Sequence, residues 1–218
     1  MIREKPASRD KHISSPAQAL AKMKDQGFTH VAVQSLHIIK GYEYEDLKSV
    51  VEGFGSMHGE MEHIELGDPL LSSPDSLVEV RDCMLDNIPE KRKKDEAVIF
   101  LGHGTHHPSN AFYQAMYYRF QQKDPLTYIG TVGGSPGLDS ILPDLEEKGV
   151  DKVYLMPFMS VAGDHAKNDM AGEGDDSWKS VLQENGYSVE TVLKGMGEYD
   201  NIVDIWIENL QGSMQQID

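Results

Sequence analysis

Two histidines have the setting that chemistry needs. "AVIFLGHGTHH" places His103 just past an apolar run, between Gly102 and Gly104. "KVYLMPFMSVAGDH" places His165 just past another, ahead of an acidic, glycine-rich segment. In open parallel sheets, ligands bind beyond the carboxyl ends of the strands, so both imidazoles fall where a site would form. Neutral imidazole suits divalent cobalt, iron, nickel or zinc. Two imidazoles with few further ligands make an open, weak site, as release of a metal requires, whereas a structural metal takes a closed shell. Glycines beside His103 let the backbone pass close to a bulky ligand. A lone loop histidine is more often a surface residue or a helix cap, and it is the pairing of the two that favours function. His37, in "QSLHII", sits near a strand end of the first half and could face the same cleft. His106 and His107 precede "PSNAF", where a helix starts, and read as solvent-facing. Nothing in their surroundings separates His12, His30, His58 and His63 from surface histidines.

Short apolar runs alternate with amphipathic stretches along the chain. The predicted strands are residues 30–38, 61–66, 97–102, 126–132, 152–159 and 187–193. Between them "SPAQALAKMKDQG", "SPDSLVEVRDCMLDNI", "NAFYQAMYYRFQQ" and "SILPDLEEKG" read as helices, several opened by a Ser-Pro or Asp cap and closed by glycine. Strand and helix in alternation mean an α/β protein with parallel sheets covered on both faces. The basic stretch "PEKRKKDE" (89–96) reads as a solvated boundary, dividing a first half, 1–90, from a second, 91–218, that carries both histidines.

The two parts share a pattern. "LAKMKDQGFTHVAVQSLHIIKG" (20–41) aligns without a gap on "LPDLEEKGVDKVYLMPFMSVAG" (142–163), at an offset of 122. Leu20 meets Leu142, Gly27 meets Gly149, Val31 meets Val153 and Gly41 meets Gly163. This predicts two related α/β halves facing one another. The second half has a strand and helix ahead of its repeat, whereas mostly polar residues precede the repeat in the first. The first half is therefore expected to lack its opening strand, and Met1 is expected to lie downstream of the segment that would supply it. A missing central strand predicts unpaired strand edges between residues 1 and 90.

Composition narrows the remaining classes. The 218 residues contain 36 acidic and 20 basic side chains, a formal charge of −16. That field repels phosphate backbones and attracts cations, which excludes general nucleic-acid binding. No apolar run approaches a membrane span, and the start carries no signal-peptide core. The single cysteine, Cys83, excludes an internal disulfide and any CxxC metal site, and reads as a small side chain on a helix. A reducing cytoplasm is the expected compartment. "GEGDD" (172–176) lacks the acid spacing of a calcium loop, and "GTVGGSPG" (130–137) spells no dinucleotide fingerprint. There is no phosphate loop and no nucleophile elbow.

The segments "VQSLHIIKGYEYE", "GDPLLSS", "FLGHGTHH", "LMPFMSVAGDHAKNDMAGEGDDSWK" and "LKGMGE" resemble the anaerobic sirohydrochlorin cobaltochelatases of cobalamin biosynthesis, over nearly the whole chain. The resemblance implies two flavodoxin-like halves, the first incomplete, with the macrocycle in the cleft between them. It implies ATP-independent insertion of Co²⁺, as substrate, into sirohydrochlorin, with no nucleotide cofactor. His103 and His165 match the two histidines that hold the metal, and either could act as base. Tetrapyrrole contacts are implied at His37, Gly102, Gly133, Val161 and Ala162. The family usually places a glutamate where this chain has Gly133, and Asp139 or Glu173 are the nearby acids that could take over. Lys40 and Lys167 are candidates to meet substrate carboxylates. The other readings are a non-catalytic tetrapyrrole- or metal-binding protein and a chelatase for Fe²⁺ or Ni²⁺. Homo-oligomers are compatible with all of them.

Overall fold

The computed structural model describes residues 13–57 and 61–217, so His12 and His58 lie outside the described residues. In chain order the elements are α1 (Pro16–Asp25), β1 (His30–Gln34), α2 (Tyr42–Gly55), β2 (His63–Gly67), α3 (Pro74–Asp86), β3 (Ala97–Gly102), α4 (Ala111–Lys123), β4 (Thr127–Thr131), α5 (Leu142–Glu147), β5 (Lys152–Phe158), α6 (Trp178–Glu184), β6 (Ser188–Thr191) and α7 (Asp200–Ile217). The Ser-Pro starts work as expected: Ser15 and Ser73 each close a capping box, with proline in the first turn of α1 and α3.

Every predicted strand forms, and β1 departs most from its expected span. It ends at Gln34 rather than residue 38, because the Ser35 hydroxyl turns back to the His37 ring and accepts from the His37 N–H. Such local side-chain bonds compete with the ladder.

All strand pairs are parallel. The second half holds a four-stranded sheet in the order β4-β3-β5-β6, and the first a two-stranded sheet, β1-β2. Every residue of β3 is buried, since helices cover both of its faces. Ile99 and Leu101 point into one core with Leu145 and Leu155, while Val98 and Phe100 point into another with Met116 and Phe120.

The repeat is visible in three dimensions. Gly27 after α1 and Gly149 after α5 both take the left-handed conformation, with φ of 83° and 65°, and deliver the chain into β1 and β5. The halves differ in what precedes that unit. Among the described residues β1 pairs only with β2, whereas β5, its counterpart, lies between β3 and β6.

The last helix leaves its own half. Ile202, Ile205 and Trp206 of α7 join Leu70, Leu71 and Val80 in one core, and the Asn209 amide donates to the Asp68 carbonyl at 3.0 Å. The β1-β2 sheet is thus covered by α7 on one face and on the other by α1 and α2, through Leu20, Val31 and Val51. α7 therefore packs across the expected division at residue 90, because its apolar stripe finds the one sheet face that α1 and α2 leave open. No helix among the described residues is long and apolar enough to cross a membrane.

Candidate metal centre

β3 and β5 are direct neighbours, with Gly102 and Phe158 as register partners at their carboxyl ends. The two loops that leave this point therefore start side by side, and each carries one of the histidines.

His103 follows Gly102 directly. Gly104 then takes φ of +74°, and its carbonyl turns to the His103 ring, 2.9 Å from Nδ1. A carbonyl only accepts, so Nδ1 carries the proton and Nε2 keeps a lone pair. The turn needs glycine: a Cβ at position 104 would lie 2.6 Å from the Gly134 nitrogen and 2.7 Å from the Thr131 Cβ.

The β5 loop reaches His165 and enters one π-helical turn, Ala166–Met170. Such turns recur at functional sites. Buried Ala166 and Met170 pin this one to the core. His165 and Asp169 stand four residues apart on its open face, with Nδ1 2.6 Å from Oδ2. The ionised carboxylate accepts, so His165 Nδ1 also carries the proton. Both Nε2 lone pairs then converge: the two atoms are 3.1 Å apart, with the rings edge to face at 4.6 Å. At that distance either a proton shared by the two nitrogens or a metal ion bound by both satisfies the pair. Two metal–nitrogen bonds of about 2.1 Å at roughly a right angle span about 3 Å, which matches the separation.

The pair stands at the rim of a 710 Å³ cavity between the halves. The first half lines it with His37, Ile38, Ile39, Gly41 and Glu43, and the second with Tyr113, Phe158, Ser160, Val161 and Asp164, among others. Burial lowers the His37 pKa below its usual value, opposed by the charge of Glu43. Burial pushes the Tyr113 phenol up to about 12, so it stays protonated near neutrality. Beside the cavity the halves also touch: His107 Nε2 lies 3.1 Å from a Glu45 carboxylate oxygen, and the Ser160 hydroxyl donates to the Leu36 carbonyl at 2.5 Å.

The sequence candidates divide. His37, Val161, His103 and His165 line the cavity. Gly102, Gly133 and Ala162 do not. Gly102 is buried beneath Tyr113, where a Cβ would sit 2.5 Å from the ring, so it shapes the wall from below. Gly133 is exposed, its N–H bonded to the His103 carbonyl at 2.8 Å, and Ala162 is half-buried against the second core. Lys40 is paired with Asp68 at 2.7 Å, and Lys167 is exposed on the π-helical turn outside the cavity lining. Asp139 and Glu173 are exposed and outside the lining too, with Glu173 held by Lys179 at 2.5 Å. The carboxylates that do line it are Glu43, Asp164 and Asp169. Only Asp169 had a legible signal, its spacing of four from His165. His107 is half-buried, serves as a cap and meets the Tyr42 ring edge to face, rather than facing solvent; His106 is exposed. Among the described residues, no group of three or more His, Cys, Asp or Glu is arranged to hold a metal, so the histidine pair could offer an ion two nitrogens and no third side chain of these types.

Comparison with known proteins places this geometry in context. The family profile described as cobalt chelatase (CbiK) matches residues 1–215. A sirohydrochlorin cobaltochelatase, CbiKC, of Nitratidesulfovibrio vulgaris is 43% identical over 218 residues, covering 100% of this chain and 77% of that protein. The sirohydrochlorin cobaltochelatase of Salmonella typhimurium is 36% identical over 202 residues, 93% of this chain and 75% of its own length. Among solved structures, SirB from Bacillus subtilis with Fe³⁺ is similar at a TM-score of 0.62 and 14% identity, over 96% of this chain and 82% of that one. The sirohydrochlorin chelatase SirB of Bacillus subtilis subspecies spizizenii, in complex with cobalt, gives 0.60 and 13%, over 96% and 79%. These two likenesses concern the fold.

Proposed function

The chain belongs to the cobalt chelatase (CbiK) family, and from that premise we propose that it inserts Co²⁺ into sirohydrochlorin, with His103 and His165 holding the metal over the macrocycle. The observation that carries the site assignment is the convergence of two imidazole lone pairs, 3.1 Å apart, at the rim of a cavity between the halves.

Insertion exchanges two pyrrolic N–H protons for one dication. Co²⁺ leaves imidazole and water for four ring nitrogens, and two protons depart. Each imidazole that gives up the metal regains a free Nε2 lone pair and can accept one of those protons. Nothing in this exchange calls for nucleotide hydrolysis. The acids at the rim, Glu43, Asp164 and Asp169, concentrate the dication there. Among the described residues, none of those lining the cavity is Lys or Arg, so the substrate's carboxylates are read as directed outward to solvent. The flat ring lies against the apolar wall of Ile38, Ile39, Phe158 and Val161. A cytoplasmic location belongs with this reading.

The test is an anaerobic assay with sirohydrochlorin and Co²⁺, Fe²⁺ or Ni²⁺ in turn, followed by the change in macrocycle absorption. Cobalt insertion above the uncatalysed rate is expected. His103→Ala and His165→Ala should each bring it to background with the fold intact, since both side chains are exposed. Near wild-type insertion in either variant would overturn the pair assignment. Tight binding of metal and macrocycle without acceleration for any metal would make the chain a binding protein.

A further inference from the structure

The two metal-facing imidazoles are held by unlike partners. Behind His103 stands a neutral backbone carbonyl, that of Gly104, at 2.9 Å. Behind His165 stands a carboxylate, that of Asp169, at 2.6 Å. We infer that Asp169 is a positioning residue that locks His165 with its proton on Nδ1 and makes it the retaining ligand of the pair, so that His103 releases the metal first.

Three observations carry this. An imidazole presents Nε2 as a ligand only when the proton sits on Nδ1, and an acceptor at 2.6 Å fixes it there. A carboxylate behind a ligating histidine raises its strength as a ligand more than a neutral carbonyl does, because it stabilises the positive charge the ring takes up on binding a cation. The geometry is also built in: His165 caps, and Asp169 lies on, the π-helical turn that Ala166 and Met170 anchor in the core. An exposed His–Asp pair four apart on a helix is otherwise worth little to stability, so a merely structural role predicts no change in metal binding.

Cobalt affinity of the full chain, measured by titration calorimetry without macrocycle, tests the inference. Asp169→Ala should weaken Co²⁺ binding about 10- to 100-fold, the usual effect of losing such a partner. Asp169→Asn keeps an oxygen that accepts from Nδ1–H and should lose clearly less. His165→Ala should lose more affinity than His103→Ala. Adding Asp169→Ala to His165→Ala should cost only the small loss of one rim charge, whereas adding it to His103→Ala should cost much more, because the aspartate acts chiefly through the His165 ring. Nitrogen-15 NMR of the metal-free protein should show the Nδ1–H form of His165 in wild type and a mixture in Asp169→Ala. In the insertion assay the loss should fall on the KM for cobalt rather than on kcat.

Cobalt affinity within twofold of wild type in Asp169→Ala, or an equal effect in both single-histidine backgrounds, would overturn the inference. So would an unchanged His165 tautomer. The kinetic arm rests on the chelatase reading and the binding and NMR arms do not. A protein that binds cobalt as described but inserts none would sink that reading and leave the role of Asp169 standing.

Discussion

Gly104→Ala separates what the backbone does for this site from what its side chains do. Gly104 sits at φ +74°, where a residue with a Cβ is strained by roughly 1–2 kcal/mol. The added methyl would also meet the Gly134 nitrogen at 2.6 Å, the Thr131 Cβ at 2.7 Å and the Thr131 Oγ1 at 2.9 Å. All three atoms belong to backbone or a stiff β-branched side chain, so the loop must move, at the roughly 1–3 kcal/mol typical of overpacking. The expected destabilisation is therefore about 2–5 kcal/mol, within the usual total of about 5–15 kcal/mol, so the variant should still fold. The larger consequence is at His103. Rotating residue 104 out of the left-handed region carries its carbonyl away from Nδ1 and frees the ring to adopt the other tautomer, with Nε2 protonated and blind to the metal. Urea denaturation should show the stability loss, and calorimetry of the folded variant should show cobalt binding weakened, though less than in Asp169→Ala, because His103 is the weaker ligand of the pair. A variant less than about 1 kcal/mol destabilised and with wild-type cobalt affinity would refute the claim that this carbonyl holds His103.

Gly133→Glu adds the carboxylate that the family resemblance implies at this position; a Cβ there meets only the His103 carbonyl, at 3.5 Å, so the backbone accepts a side chain, and the variant should tighten cobalt binding in the same calorimetric assay. Burial holds the His37 pKa below 6.5, so the unfolded chain binds the extra proton first, and stability should be flat above that value and fall as pH drops below it. His37→Asn should lose that part of the acid sensitivity in urea denaturation from about pH 8 to about pH 5. Hydrogen exchange should be faster in β1, residues 30–34, than in β3, residues 97–102, because β3 is paired on both sides and wholly buried. Equal protection would mean that the α7 and α1–α2 layers stabilise the two-stranded sheet as well as flanking strands do.

The local units could be read from short stretches of the chain. Apolar runs, Ser-Pro caps and closing glycines located six strands, and the match of residues 20–41 to 142–163 anticipated the paired helix–strand units that Gly27 and Gly149 now join. These features were legible because each depends on residues a few positions apart. His103 and His165 were recognisable as strand-end histidines for the same reason, and the CbiK resemblance was legible in contiguous segments. That the two rings meet follows from the way the strands assemble. They are 62 residues apart, and it is the order β4-β3-β5-β6, setting β5 against β3, that brings their Nε2 atoms to 3.1 Å. Strand order follows from how whole faces bury one another, which no local periodicity records. The same global packing sent α7 to the β1-β2 sheet and turned Glu43 into the cavity while leaving Asp139 and Glu173 outside it. It also placed Asp169 behind His165, where four-residue spacing had made contact geometrically available and the π-helical turn made it real.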